Sequence, residues 1–204
     1  MAKPEIKALI FDMGHVFVDF EWEEVCLGFC REFNMSLEDF KPLLKQIGTI
    51  GYETGKADTV RLLDEVERVT KIKLAEDRFH TLWNHTFREN DSMTEILTVL
   101  KSKYPLFLLS NTNESHWNYL ESTYKVSRHF QELVLSFEVG YAKPQEEIYR
   151  HTVEKTGLNA ENCGFIDDLP VNIEAADRVG LQTIQFESSK DMVRKLQEMG
   201  VNFL

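Results

Sequence analysis

Ala8-Leu9-Ile10-Phe11-Asp12-Met13-Gly14-His15-Val16 is the stretch whose reading decides the fold. Four apolar residues run directly into an aspartate, and a glycine follows two places later. An unbroken apolar run of this length reads as a strand buried on both faces, the kind found inside a parallel sheet. A carboxylate at the end of such a strand is costly unless something pairs with it. In open α/β sheets, ligands sit in the crevice beyond the carboxyl ends of the strands. Asp12 therefore has two readings, a functional carboxylate or a cap or turn residue, and the rest of the chain decides between them.

Outward from this strand, Val16 to Phe20 reads as a short extended piece, and then the pattern turns helical. Trp22, Cys26, Phe29 and Phe33 recur at helical spacing. Ser36 opens a second helix with Leu37, Phe40, Leu44 and Ile47 on one side, and Pro42 within it suggests a break or kink. Residues 48–56, with three glycines, read as a loop. Asp58 can cap a third helix carrying Leu62, Val66 and Val69, and a fourth holds Phe79, Leu82, Trp83 and Phe87. Nothing between about 21 and 89 reads as a convincing strand. Beyond it, strands and helices alternate. Ser92-Met93-Thr94-Glu95 reads as a capping box opening a helix with Ile96, Leu97 and Leu100 inward. Buried strands are expected at 106–109, 133–135, 163–166 and 181–186, with helices between them and a last helix ending near Gly200. Gly157 and Gly180 stop two of these helices. Alternation of this kind means an α/β fold, a parallel sheet with helices on both faces. The expected organisation is a core of residues 1–19 and 90–204 with a small helical unit, 20–89, inserted after the first strand and hanging over the crevice like a lid.

Composition narrows the function. The chain has 204 residues, an apolar fraction of 43% and a net charge of -11. The acidic balance opposes nucleic acid or an anionic membrane as main partner, and it makes any phosphate site a local, strongly furnished one. Cys26, Cys30 and Cys163 do not form a disulfide framework and read as small core residues in a reducing compartment. The N-terminus lacks the pattern of a signal peptide, and no stretch reaches the roughly 18 apolar residues of a membrane span. A soluble cytoplasmic protein is expected, as a monomer or a homodimer.

The polar groups at the carboxyl ends of the expected strands are Asp12, Ser110 and the pair Asp167-Asp168, and Lys143 stands just before a helix. Each alone has a plainer reading: a cap for Ser110, a surface lysine for Lys143, loop acids for the pair. Converging on one crevice, three acids and one cation form a recognisable chemistry. The acids can hold Mg²⁺, a hard ion that prefers carboxylate oxygen and keeps several waters. The metal and Lys143 neutralise a phosphoryl group, while Ser110 and the amides after it donate to phosphate oxygens. Asp12 is then free to attack phosphorus.

These motifs resemble those of the haloacid dehalogenase superfamily of aspartate-nucleophile hydrolases, in the branch with a helical cap inserted after the first strand of a Rossmann-like core. Phe11-Asp12-Met13-Gly14-His15-Val16 is similar to the family's first motif, Leu108 to Thr112 to the second, Ala142-Lys143-Pro144 to the third, and Phe165 to Asn172 to the fourth. The resemblance implies Asp12 as nucleophile forming an aspartyl-phosphate, and Ser110 and Lys143 on the phosphoryl oxygens. It implies Asp168 as the direct Mg²⁺ ligand, Asp167 beside it or acting through water, and the Gly14 carbonyl as a further ligand. Asn111 and Asn172 are expected to orient loops, with Asn111 near the substrate.

One position departs from the family's phosphatases. They carry a second aspartate two residues after the nucleophile, which protonates the leaving alcohol and later activates water; here that place is Gly14. A subset with glycine there, which includes a bacterial phosphatase for α-glucose 1-phosphate, is the most similar. An anomeric leaving group is more acidic than an ordinary alcohol and needs less help. His15 is a candidate replacement for the acid, since histidine is the side chain most used for proton transfer near neutral pH. The expected function is a Mg²⁺-dependent phosphatase for a small phosphorylated metabolite, such as a hexose 1-phosphate. The alternatives are a 2-haloacid dehalogenase, which needs neither the acid nor the metal, and a non-catalytic relative that keeps the crevice for binding. Trp22, Tyr52, Glu53 and His85 are possible wall residues of the lid.

Overall fold

The computed structural model describes residues 4–203. Five strands form the expected parallel sheet: β1 (Ala8–Phe11), β4 (Leu106–Ser110), β5 (Glu132–Leu135), β6 (Cys163–Asp167) and β7 (Gln182–Gln185), in the order β5-β4-β1-β6-β7. The chain builds outward from β1 on one side, then returns to its other side for β6. The order reverses at β1, and a crevice opens at such a switch point beyond the strand ends. Register levels those ends: Phe11 lies opposite Leu108 on one side and Ile166 on the other. Alternation within β1 feeds two cores. Leu9 and Phe11 pack on one face with Leu97, Leu100, Leu120 and Leu196. Ala8 and Ile10 pack on the other with Tyr149, Phe165 and Ala176.

The connecting helices are α5 (Asp91–Lys101), α6 (Glu114–Tyr124), α7 (Ser136–Val139), α8 (Glu146–Thr156), α9 (Pro170–Val179) and α10 (Ser189–Glu198). Gly157 and Gly180 end α8 and α9 in the left-handed conformation, as the sequence indicates. Two details differ from expectation. The cap of α5 is Asn90, whose side-chain oxygen accepts from the Met93 amide; Ser92 lies inside the first turn and donates to Asn90 instead. The one-turn helix α7 was not expected, because four residues are too few to show a helical period.

Between β1 and α5 the chain makes the helical unit: α1 (Trp22–Phe33), α2 (Leu37–Gly48), α3 (Thr59–Thr70) and α4 (Glu76–Asn84). It has its own core of Val25, Phe29, Phe33, Phe40, Leu62, Val66 and Phe79. Ser36 and Asp58 cap α2 and α3 as expected. Helix α2 runs unbroken through Pro42. The amide that proline lacks would have bonded to Glu38, whose residue is exposed, so water can satisfy that carbonyl. The unit is also not strand-free. Arg88–Glu89 (β3) pairs antiparallel with Val18–Asp19 (β2), so the two passages between sheet and helices run side by side. A two-residue ribbon leaves too short an alternation to read in sequence. Among the described residues no helix is long and apolar enough to cross a membrane.

Candidate active site

Asp12, Ser110 and Asp167 stand at the carboxyl ends of three adjacent strands, and Lys143 reaches them from the loop before α8. Its Nζ lies 2.7 Å from Asp12 Oδ1 and 2.7 Å from Asp167 Oδ2. All three residues are buried. The plainer reading of Lys143 as a surface lysine is excluded by that burial. Burial pulls the ammonium's pKa down, but the two carboxylates outweigh it and the net direction is upward. Asp12 is pushed from its ordinary 3.8 to about 6: burial raises it most, Lys143 opposes, and Asp167 adds to the rise.

The two buried acids are furnished differently. Asp167 accepts from Lys143, from the Leu169 amide at 2.9 Å and from both contacts of Asn172 Nδ2 at 2.9 and 3.1 Å. Both of its oxygens are engaged. Asp12 accepts from Lys143 and from the Met13 amide at 2.6 Å, and both contacts fall on Oδ1. Its other oxygen is the one available to a ligand. Asp168 is half-buried, with its pKa raised by burial and then by Asp167. Oxygens of Asp12, Asp167 and Asp168 approach within 4.8 Å of one another. Three carboxylates against one ammonium leave an excess of negative charge, and an all-oxygen donor set fits Mg²⁺.

The neighbouring loops are locked to this centre. The Asn111 amide group bonds the Lys143 main chain twice, donating to its carbonyl at 2.8 Å and accepting its N–H at 2.7 Å. That holds the Lys143 loop against the end of β4. Gly14 lies at the mouth. A Cβ there would stand 3.2 Å from the edge of the Phe20 ring, so a side chain at this position would crowd the aromatic. His15 adopts a left-handed backbone (φ 53°), stacks on Phe20 at 4.4 Å and sits 4.0 Å from Asp19. It is a turn residue on the exposed side, and it is absent from the walls of the cavity described next.

A cavity of about 250 Å³ lies between the sheet ends and the helical unit, lined by Met13, Gly14, Ser110, Asn111 and Thr112 below and by Trp22, Glu53 and Trp83 above. Two contacts close the upper part onto the lower. Trp83 stacks on His116 at 4.9 Å and its indole N–H points at Asn113 Oδ1, while His80 and Asn84 bond Ser115. On the other side, Ser136 Oγ accepts from the Thr112 amide at 2.9 Å and donates to the Glu53 carbonyl at 2.6 Å. His116 stays neutral, since burial pulls its pKa to about 3 against a smaller upward pull from Trp83. Of the expected wall residues, Trp22 and Glu53 line this cavity; Tyr52 is buried and bonds Thr59, and His85 bonds the Leu82 carbonyl. Ser136 and His116 were missed. The signal for Ser136 was present, because it follows β5 as the polar residue at a buried strand's end.

A buried aspartate and lysine thus meet at the switch point of a parallel sheet, beneath a helical unit inserted after its first strand. The chain belongs to the haloacid dehalogenase-like hydrolases, whose family profile matches residues 6–180. It is 24% identical over 202 residues to a D-ribitol-5-phosphate phosphatase of Bacteroides thetaiotaomicron, covering 94% of this chain and 97% of that one. It is 30% identical over 113 residues to a flavin mononucleotide hydrolase of Arabidopsis thaliana, covering 55% of this chain and 46% of that one. Among solved structures it is similar to a family enzyme of Bacteroides thetaiotaomicron in complex with magnesium and inorganic phosphate, at 26% identity and TM-score 0.82, covering 92% of this chain and 98% of that one.

Proposed function

We propose that the chain is a Mg²⁺-dependent phosphatase that hydrolyses a small phosphorylated metabolite through an aspartyl-phosphate on Asp12. The observation that carries this reading is the Lys143 ammonium held 2.7 Å from both Asp12 and Asp167. Pinned on Oδ1, Asp12 presents its other oxygen to phosphorus. Lys143 and Ser110 take the phosphoryl oxygens, and Asn111 fixes the loop that carries Lys143. Asp168, Asp12 and the Gly14 carbonyl would hold the ion; Asp167, with both oxygens engaged, acts on Lys143 and on water rather than on the metal directly. Bound there, Mg²⁺ supplies positive charge against the phosphoryl group as its ester bond breaks. His15 shapes the turn around Gly14. Residues 20–89 act as a cap that closes over the substrate and excludes water.

Relatives that act on D-ribitol 5-phosphate and flavin mononucleotide support a phosphorylated small molecule. A hexose 1-phosphate is the first substrate to test, because its anomeric oxygen leaves readily where Gly14 offers no acid. Three free, buried cysteines suit a reducing cytoplasm. The test is phosphate release from a panel of sugar phosphates and p-nitrophenyl phosphate, with Mg²⁺ and with chelator, and with Asp12→Asn as blank. Mg²⁺-dependent release by the native chain alone supports the reading. Release that survives in Asp12→Asn, or none from any ester, overturns it.

A further inference from the structure

Gly14 leaves the site without the family's usual proton donor, and a proton must still reach the leaving oxygen. We propose that Glu53, carried by the cap, is that donor. The inference rests on the phosphatase reading and adds to it the source of the proton.

The argument is one of position. Glu53 lies in a short 3-10 turn, Tyr52–Thr54, within the loop between α2 and α3. That loop is fastened to the core at two adjacent points. Ser136 Oγ takes the Glu53 carbonyl at 2.6 Å and also holds the Thr112 amide, two residues from Ser110. Two places on, Gly55 (φ 67°) lies so close to the Phe137 carbonyl oxygen that a Cβ there would collide with it. The backbone of Glu53 is thus fixed relative to the phosphoryl-binding loop, while its side chain is exposed into open space. It lines the cavity that holds Met13, Gly14 and Ser110, and also a second one of about 280 Å³ between α2, α3 and the two tryptophans. Ser110 lines the first of these cavities, so a leaving group on a phosphoryl held there would have that space to occupy.

The other titratable groups lining these two cavities are unsuited. Tyr52 spends its hydroxyl on Thr59 at 2.9 Å. His116 is half-buried with its Nδ1 3.1 Å from the Asn113 amide nitrogen, and desolvation pulls its pKa to about 3, so it is held neutral. His15 stands outside the cavity. The Glu53 carboxyl has no bonded partner among the described residues, so no cation holds it ionised, and enclosure by a bound substrate favours the protonated form needed for donation. In the first half of the reaction the Asp12 O–P bond forms and the ester P–O bond breaks. The electron pair stays on the leaving oxygen, which takes the Glu53 proton and departs as a neutral alcohol. In the second half the Glu53 carboxylate accepts a proton from the water that attacks the aspartyl-phosphate, which frees Asp12 and restores the acid.

The test compares Glu53→Gln, close to isosteric and on an exposed side chain, with the native chain and with His15→Ala, on hexose 1-phosphate, an alkyl phosphate and p-nitrophenyl phosphate. Nitrophenolate leaves without a proton. The proposal expects the single-turnover rate of leaving-group release by Glu53→Gln to fall about 10²-fold on the alkyl ester, far less on the aryl ester, and to an intermediate degree on the sugar, while His15→Ala shows no such split. An equal loss of that first-turnover rate on all three esters, no loss on any, or a rise confined to KM would overturn it. Absence of Mg²⁺- and Asp12-dependent turnover of the aryl ester by the native chain would sink the phosphatase reading itself, and this inference with it.

Discussion

Lys143 is where the chemistry and the stability of this protein meet. An ammonium buried between two carboxylates is tolerable only because both partners are within 2.7 Å. Removing the cation alone leaves two buried acids unbalanced, and breaking a buried pair this way costs about 3–5 kcal/mol. Lys143→Met is therefore expected to unfold at markedly lower urea concentration than the native chain at pH 8, with much of the difference recovered at pH 5. The sign follows from Asp12, which is already raised to about 6 with the lysine present and rises further without it. A carboxylate whose folded pKa is raised stabilises the fold below its ordinary pKa of 3.8, and that contribution is lost as pH climbs through the raised value. A deficit that is independent of pH would show that the lysine is merely packing. The meeting of Asp12, Ser110, Lys143 and the Asp167-Asp168 pair was legible in the sequence because each sits at the end of an apolar run or beside a proline; each alone had a plainer reading, and it is their common placement that pointed to one crevice. The division of labour between the two acids was not legible. It depends on Asn172, whose amide spans both oxygens of Asp167 and is five residues away in a helix.

The elements that join the helical unit to the sheet are the ones with the weakest sequence signal. Strands β1, β4, β5 and β6 announce themselves by apolar runs, β7 by its alternation of Leu181, Ile184 and Phe186 with polar residues after a helix-ending glycine, and helices α2 and α3 by their caps at Ser36 and Asp58. The loop at 48–56 and the single turn of α7 carry no period at all, yet their meeting fixes the cap on the core through Ser136 and Gly55. Gly55 has a positive φ and no room for a Cβ, so Gly55→Ala is expected to destabilise the protein by about 1–3 kcal/mol and to lower turnover by displacing the 48–56 loop. Gly48 is the contrast: it ends α2, has nothing within 4 Å of a built Cβ and no positive φ. Gly48→Ala is expected to leave the midpoint of thermal unfolding level or to raise it slightly. Equal losses in the two variants would mean that the loop is not seated as described. The glycine at position 14 also has its setting at this scale, since Phe20, just after β2, packs closely beside it.

For the molecule as a whole, an acidic chain of net charge -11 gathers three of its carboxylates around one crevice and sets a single lysine against them. A divalent cation bound there would offset the excess negative charge. With chelator, the raised pKa values of Asp12 and Asp168 make the folded state hold protons that the unfolded chain has released, so their contribution to stability declines from about pH 4 to above pH 6. Mg²⁺ is expected to raise the unfolding temperature, by the equivalent of about 2.7 kcal/mol at a hundredfold excess over its dissociation constant. The rise should be larger at pH 7.5 than at pH 5, because protons and metal compete for the same oxygens. A Mg²⁺ effect that does not depend on pH, or that persists in Asp168→Asn, would place the ion elsewhere. The central claim, that Asp12 carries the phosphoryl group, is tested most directly by acid-quenching the protein during turnover of p-nitrophenyl phosphate with Mg²⁺ and mapping its peptides by mass. The account predicts one added phosphoryl group on the peptide that contains Asp12, absent with chelator and absent in Asp12→Asn. Steady phosphate release with that peptide unmodified at every quench time, or with the added mass on another residue, would contradict it.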